Sequence, residues 1–214
     1  MLNNINPFYI YEDKNCLYIK NINKKTEKIS SNIISYCANF DNDDLIHICS
    51  VDTKGRLIHF TYKDGYVRKK VLCKVSNNPN NLKNMRLFII EKYLNIFLVE
   101  ESSLNVDTYR VSHYNFRPSN NNIFKFHFNN ILKKDEFIYK LTIDDMHNMI
   151  FTYESPNSNR EELEYQSLIF NTNKRKWFPS KSLLRSDLDS IDVNCSSTIK
   201  SDIFEYCYSI VYKK

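Results

Sequence analysis

The chain has 214 residues, of which 42% are hydrophobic and 26% charged, a globular balance that excludes wholesale disorder. Its 30 basic and 25 acidic residues leave a formal charge of +5 spread along the sequence, which argues against a nucleic-acid partner with a concentrated basic face. No stretch approaches the ~18 consecutive apolar residues that span a bilayer. Met1 to Pro7 lacks a basic region followed by an apolar one, so the expectation is a cytoplasmic protein with no membrane association.

Phe8 to Tyr11, Leu17 to Ile22 and Thr26 to Ser30 are short β-rich runs that fit the second, third and fourth strands of a unit whose first strand is missing. Ile33 to Phe40, Leu45 to Val51, Leu57 to Tyr62 and Val67 to Val75 then form a complete four-strand unit. Asp52, Thr53, Lys54 and Gly55 supply its clearest hairpin turn. The next unit comprises Arg86 to Ile90, Ile96 to Val99, Val106 to Tyr114 and Ile123 to Phe128, punctuated by Pro118, Ser119 and the Asn120 to Asn122 run. A further unit comprises Phe137 to Ile143, Met149 to Tyr153, Leu163 to Phe170 and Lys176 to Phe178, with a long polar connection from Glu154 to Glu162. Ser182 to Ile191 has partial helical spacing, and Ile191 to Cys195 and Ile203 to Val211 are the last β-rich segments.

The second strands recur. Ile46, Ile96, Met149 and Ile203 begin apolar runs 50, 53 and 54 residues apart, a period characteristic of blades or solenoid repeats. Ile96 to Val99 and Met149 to Phe151 are apolar without alternation, so both faces must be covered. The fourth strands instead carry Arg68, Lys69, Lys70 and Lys74, or Lys174, Arg175, Lys176 and Pro179, as exposed sheet edges do.

These features predict one all-β domain over residues 1–214, a small β-propeller of four-stranded antiparallel meander blades. Four blades result if Ile191 to Cys195 supplies the missing first strand of the Phe8 to Ser30 unit. Five result if the last is incomplete, to be finished by more chain beyond Lys214 or by a partner molecule. A β-sandwich is the alternative, to be decided by strand order. Strand pairs of the form Leu45 to Tyr62 resemble the repeats of β-propeller proteins, including poorly characterised ones encoded by AT-rich bacterial genomes. Kelch glycine pairs are impossible with only Gly55 and Gly65, and the WD40 Trp-Asp dipeptide is absent. The resemblance implies a binding platform and assigns no functional residue.

Local chemical signatures are sparse. Two glycines build neither a dinucleotide fingerprint nor a P-loop, so no cofactor is expected. No cysteine pair has zinc spacing, and Cys16, Cys37, Cys49, Cys73, Cys195 and Cys207 read as reduced core residues. His47 and His59 lie on adjacent strands and can approach, but the expectation is two separately hydrogen-bonded histidines without a metal. Asp41, Asp43 and Asp44, like Asp144 and Asp145, read as turn chemistry rather than a calcium loop. Glu161 and Glu162 read as solvated charges on a loop. Lys174, Arg175, Lys176, Trp177 and Phe178 read as an outer strand with aromatics toward its neighbour.

No catalytic, cofactor or metal residues are assigned, and the binding residues stay unknown. The leading expectation is a non-enzymatic protein-interaction or self-assembly module. A lectin-like carbohydrate-binding module using Trp177 and some of the 15 tyrosines comes second. A hydrolase with carboxylates at the propeller mouth is third.

Overall fold

The computed structural model describes residues 8–20, 25–41, 43, 45–102, 107–120, 122–133, 139–156, 163–180 and 205–206. Among these residues the only helical element is a single 3-10 turn, Pro79–Asn81. The remainder is organised as four separate four-stranded antiparallel sheets.

The first sheet contains β1 (Tyr9–Asp13), β2 (Cys16–Lys20) and β3 (Thr26–Ser31). The second contains β4 (Ile33–Phe40), β5 (Ile46–Asp52), β6 (Arg56–Lys63) and β7 (Tyr66–Lys74), paired in chain order. The third is the meander β8 (Leu82–Ile90), β9 (Tyr93–Glu101), β10 (Thr108–Phe116) and β11 (Phe124–Leu132). The fourth is β12 (Lys140–Ile143), β13 (Met149–Pro156), β14 (Leu163–Asn171) and β15 (Lys176–Pro179). The β-rich repeat expected from the sequence is therefore present as a propeller-type succession of meander blades. The strand order sets the sandwich alternative aside, since the strands form four sheets rather than two.

One element corrects the sequence reading. The first sheet has the order β16-β1-β2-β3, and β16 is Glu205–Tyr206, whose register with β1 is Tyr9 opposite Tyr206 and Ile10 opposite Glu205. The missing strand does come from the far end of the sequence, but from the segment expected to be an additional strand. Ile191 to Cys195 and the helical spacing of Ser182 to Ile191 lie outside the described residues. Among the described residues no fifth sheet forms, and Glu205–Tyr206 pairs with β1 in the first sheet.

Turn chemistry explains the sharp corners. Lys14 and Asn15 (φ 49° and 59°) join β1 to β2, and Asp64 and Gly65 (φ 51° and 84°) join β6 to β7. Two consecutive positive φ values match the twist of the flanking strands in a two-residue hairpin.

Contacts divide the chain into two compact units, Met1–Leu98 with His113–Lys125 and Lys200–Lys214, and Val99–Ser112 with Phe126–Ile199. In the first unit, every residue of β5 is buried. The reason is that alternate side chains enter different cores. Ile46 and Ile48 pack with Ile10, Leu17 and Ile19 of the first sheet, while Cys49 and Val51 pack with Leu87, Leu94, Ile96 and Phe116 of the third. Fully burying one such aliphatic side chain contributes roughly 1.5–3 kcal/mol, so apolar residues dominate this doubly covered strand, with His47, Ser50 and Asp52 buried among them. Outer strand β7 shows the reverse, with most of its side chains exposed.

The second unit has an aromatic core. Phe151 packs against Phe128 (centroids 4.7 Å apart), Tyr139 (5.0 Å) and Tyr153 (5.3 Å). Trp177 completes it against Phe170 at 5.1 Å and Phe128 at 5.2 Å.

Candidate functional site

A cleft of about 360 Å³ opens in the first unit, lined by the end of β3, the β5–β6 turn and the middle of β7. Ile29, Ser30, Ser31 and Asn32 form one wall, Asp52, Thr53, Lys54 and Arg56 another, and Ile58 and Lys69 complete it. Ile58 and Asp52 are buried, whereas Ser31, Asn32, Thr53, Lys54 and Lys69 reach the surface.

The turn that carries Lys54 and Arg56 is held by bonds in three directions. The Gly55 N–H donates to Asp52 O at 2.8 Å, and Gly55 O accepts from the N–H groups of Val75 at 2.8 Å and Ser76 at 3.3 Å. The Thr53 N–H donates to Asn32 O at 2.9 Å, tying the turn to the opposite wall. Gly55 has φ +72°, and a Cβ there would lie 2.0 Å from the carbonyl oxygen of Ser76. Only glycine fits.

Asp52 organises the cationic side of the cleft. Its Oδ1 accepts from the backbone N–H groups of Lys54 (3.0 Å) and Arg56 (2.9 Å). Its Oδ2 accepts from Arg56 Nε at 2.8 Å and lies 2.7 Å from Arg56 Nη2. Burial alone would raise the carboxyl pKa, but the bonds from Arg56 and Lys54 outweigh it and hold the group below the usual carboxylate range. Three cations and one carboxylate thus line the cleft, a net charge of +2. Lys69 also lies over the Phe60 ring, 5.8 Å from its centroid.

The histidine expectation requires correction. His47 and His59 are not separately bonded: His47 Nδ1 and His59 Nε2 are 3.0 Å apart, with stacked rings. His47 Nε2 also lies 3.1 Å from Asp41 Oδ2. A carboxylate only accepts, so His47 carries its proton on Nε2, its Nδ1 accepts, and His59 donates from Nε2. Burial lowers the pKa of His47 despite the opposing effect of Asp41. Burial, followed by His47 and Lys70, pushes that of His59 down to about 3. Both rings are buried and neutral at neutral pH, as a polar chain inside the sheet. A second chain joins Asn95, His113 and Asn115, with Asn95 Oδ1 accepting from Asn115 Nδ2 at 2.7 Å and lying 3.0 Å from His113 Nε2.

The remaining sequence candidates separate by environment. Asp41 Oδ1 accepts from the N–H groups of Asp43 (2.9 Å) and Leu45 (3.0 Å), so Asp41 serves the turn with one oxygen and His47 with the other. Asp144 Oδ1 likewise accepts from Met146 N (2.9 Å) and Asn148 N (2.8 Å). Asp44, Glu161 and Glu162 lie outside the described residues. Among the described residues no group of three or more His, Cys, Asp or Glu is arranged to hold a metal ion. Trp177 packs into the aromatic core, while Lys174 lies over the exposed Phe178 ring, 5.7 Å from its centroid. The cleft itself was missed by sequence reasoning. Its only local signal is the Asp52 to Gly55 turn, which reads as a hairpin and does not disclose Ser30 to Asn32 across from it.

No family model and no curated protein matches this chain. Among solved structures, it is similar to a bifunctional GH43-CE protein of Bacteroides eggerthii at 10% identity and a TM-score of 0.41, over 76% of this chain and 24% of that one. It is similar to the WD40 domain of SCAP from fission yeast at 9% identity and a TM-score of 0.32, over 85% of this chain and 63% of that one. The chain therefore spans less than two thirds of either structure. No helix among the described residues is long and apolar enough to cross a membrane.

Proposed function

We propose that this protein is a non-enzymatic interaction module that binds an extended acidic segment of a protein partner along β7. One observation carries this reading: β7 lies last in the order of its sheet, and its nine residues carry four cations and no acid. Tyr66 is 79% exposed, and Val67 and Val71 are exposed on either side of the Arg68 to Lys70 run. An extended peptide laid beside a sheet edge gains main-chain hydrogen bonds, and its alternate side chains meet those of the strand. Here they would meet Tyr66, Arg68 and Lys70 on one face and Val67, Lys69 and Val71 on the other.

Charge selects the partner. A second β7 would oppose cations to cations, which disfavours self-assembly through this edge. Lys70 Nζ donates to Asn120 O at 3.3 Å, so part of its hydrogen-bonding capacity is already engaged within the protein. Arg68 and Lys74 are exposed.

The test is fluorescence anisotropy with a labelled peptide alternating Glu and Val, against the same peptide with Lys for Glu. The Glu peptide should bind, weaken steeply with salt, and lose at least tenfold affinity to the Arg68→Glu, Lys74→Glu double variant. Equal binding of the two peptides, or none by the Glu peptide, overturns the reading.

A further inference from the structure

We infer that the cleft between β3, the β5–β6 turn and β7 is an oxyanion site that takes a phosphomonoester group. The cleft shares Lys69 with β7, but the rest of its lining comes from β3, β6 and the β5–β6 turn, so the inference does not depend on a peptide pairing along that edge.

The donor set points to the ligand class. Lys54, Lys69 and Arg56 line one space together with Ser30, Ser31, Asn32 and Thr53, so cationic residues and residues with polar side chains share its walls. A carboxylate offers two oxygens to such a set, whereas a phosphomonoester offers three terminal oxygens and up to two charges. The only carboxylate lining the space is already engaged, since Asp52 receives bonds on both oxygens from Lys54 and Arg56.

That engagement also prepares the site. The Nε and Nη2 of Arg56 sit on buried Asp52, which orients the guanidinium while its side chain stays 45% exposed. A cation held in position loses less freedom when a ligand arrives, so more of the contact energy appears as affinity. The turn beneath it is fixed by Gly55 against Ser76 and by Thr53 on Asn32, so Lys54 projects from a rigid base. With a net charge of +2 around a concave surface, the cleft favours a dianion over a neutral group of the same size.

Calorimetry on the full chain tests this with inorganic phosphate, acetate, free phosphoserine, and a peptide with and without one phosphoserine. Phosphate should bind at least tenfold more tightly than acetate, and Lys54→Glu should reduce phosphate binding at least tenfold. Circular dichroism of the variant verifies that it is folded, as expected for an exposed turn side chain. Tighter binding of the phosphopeptide than of free phosphoserine assigns a phosphorylated protein as the source, and equal binding assigns a small phosphorylated molecule. Equal affinity for acetate and phosphate, no binding of any phosphorylated probe, or unchanged binding in folded Lys54→Glu overturns the inference. Failure here with the unphosphorylated Glu peptide still binding removes the oxyanion site and leaves the β7 reading standing.

Discussion

His47 Nδ1 and His59 Nε2 lie 3.0 Å apart inside the second sheet, with ring planes 9° from parallel and Phe116 edge-on to His59. The two residues sit on neighbouring strands, where His59 is registered opposite Cys49 and His47 opposite Thr61. Two residues of one parity on a strand share a face, so the rings meet diagonally rather than directly across. Asp41 anchors one end of the pair from the turn before β5.

Stability should therefore fall on acidification. Both histidines have folded pKa values below their unfolded value, His59 at about 3. The unfolded chain takes up protons below ~6.5 while the folded one does not, so stability present above that pH is lost as pH falls toward the folded values. Each histidine that stays neutral contributes a slope of about 1.4 kcal/mol per pH unit in that window. Urea unfolding at pH 7, 6, 5 and 4 should show the loss, and His59→Gln should flatten the slope.

Gly55→Ala should be among the most damaging single-methyl changes in the chain. The new Cβ meets the Ser76 carbonyl at 2.0 Å, in a left-handed backbone conformation. Strain of this kind costs on the order of 1–3 kcal/mol before the clash is counted. Thermal melts should show a markedly lower midpoint, whereas Gly65→Ala, where a Cβ meets nothing within 4 Å, carries the conformational penalty alone.

Asp52→Asn keeps an acceptor for the Lys54 and Arg56 backbone but removes the charge facing the guanidinium. Hydrogen bonds to charged groups are worth ~1.5–3 kcal/mol, and a loss of that size is expected at pH 7. Because the native carboxyl is held below its usual range, the difference between wild type and variant should shrink as pH falls through the folded pKa. Parallel denaturation curves at pH 7 and pH 3 measure it.

Thiol labelling should follow burial. Cys37 and Cys49 are fully buried in the second sheet, registered opposite each other, and burial pushes the Cys49 thiol far above its ordinary value. Neither should react with iodoacetamide before unfolding. Cys16 and Cys73 are partly exposed and should label before Cys37 and Cys49, as peptide mass spectrometry would show.

The apolar second strands, the charged outer strands and the Asp52 to Gly55 hairpin were legible because each depends on residues adjacent in sequence. An uninterrupted run such as Ile96 to Val99 demands cover on both faces, and a basic run such as Arg68 to Lys70 demands solvent. Residues 96–99 thus declared a doubly buried strand without any partner being named. The partners needed the fold. Which segment lies beside β1 depends on closing a loop across nearly the whole sequence, and two β-rich candidates near its end had similar local character. Only the tertiary pairing selected Glu205 and Tyr206. The histidine chain required the diagonal register of β5 and β6, and the cleft required Ser30 to Asn32, Lys54 to Arg56 and Lys69 to converge from three parts of the chain. Alternation and turn chemistry are short-range and appear in the sequence itself, whereas a site assembled from distant strands exists only once their registers are set.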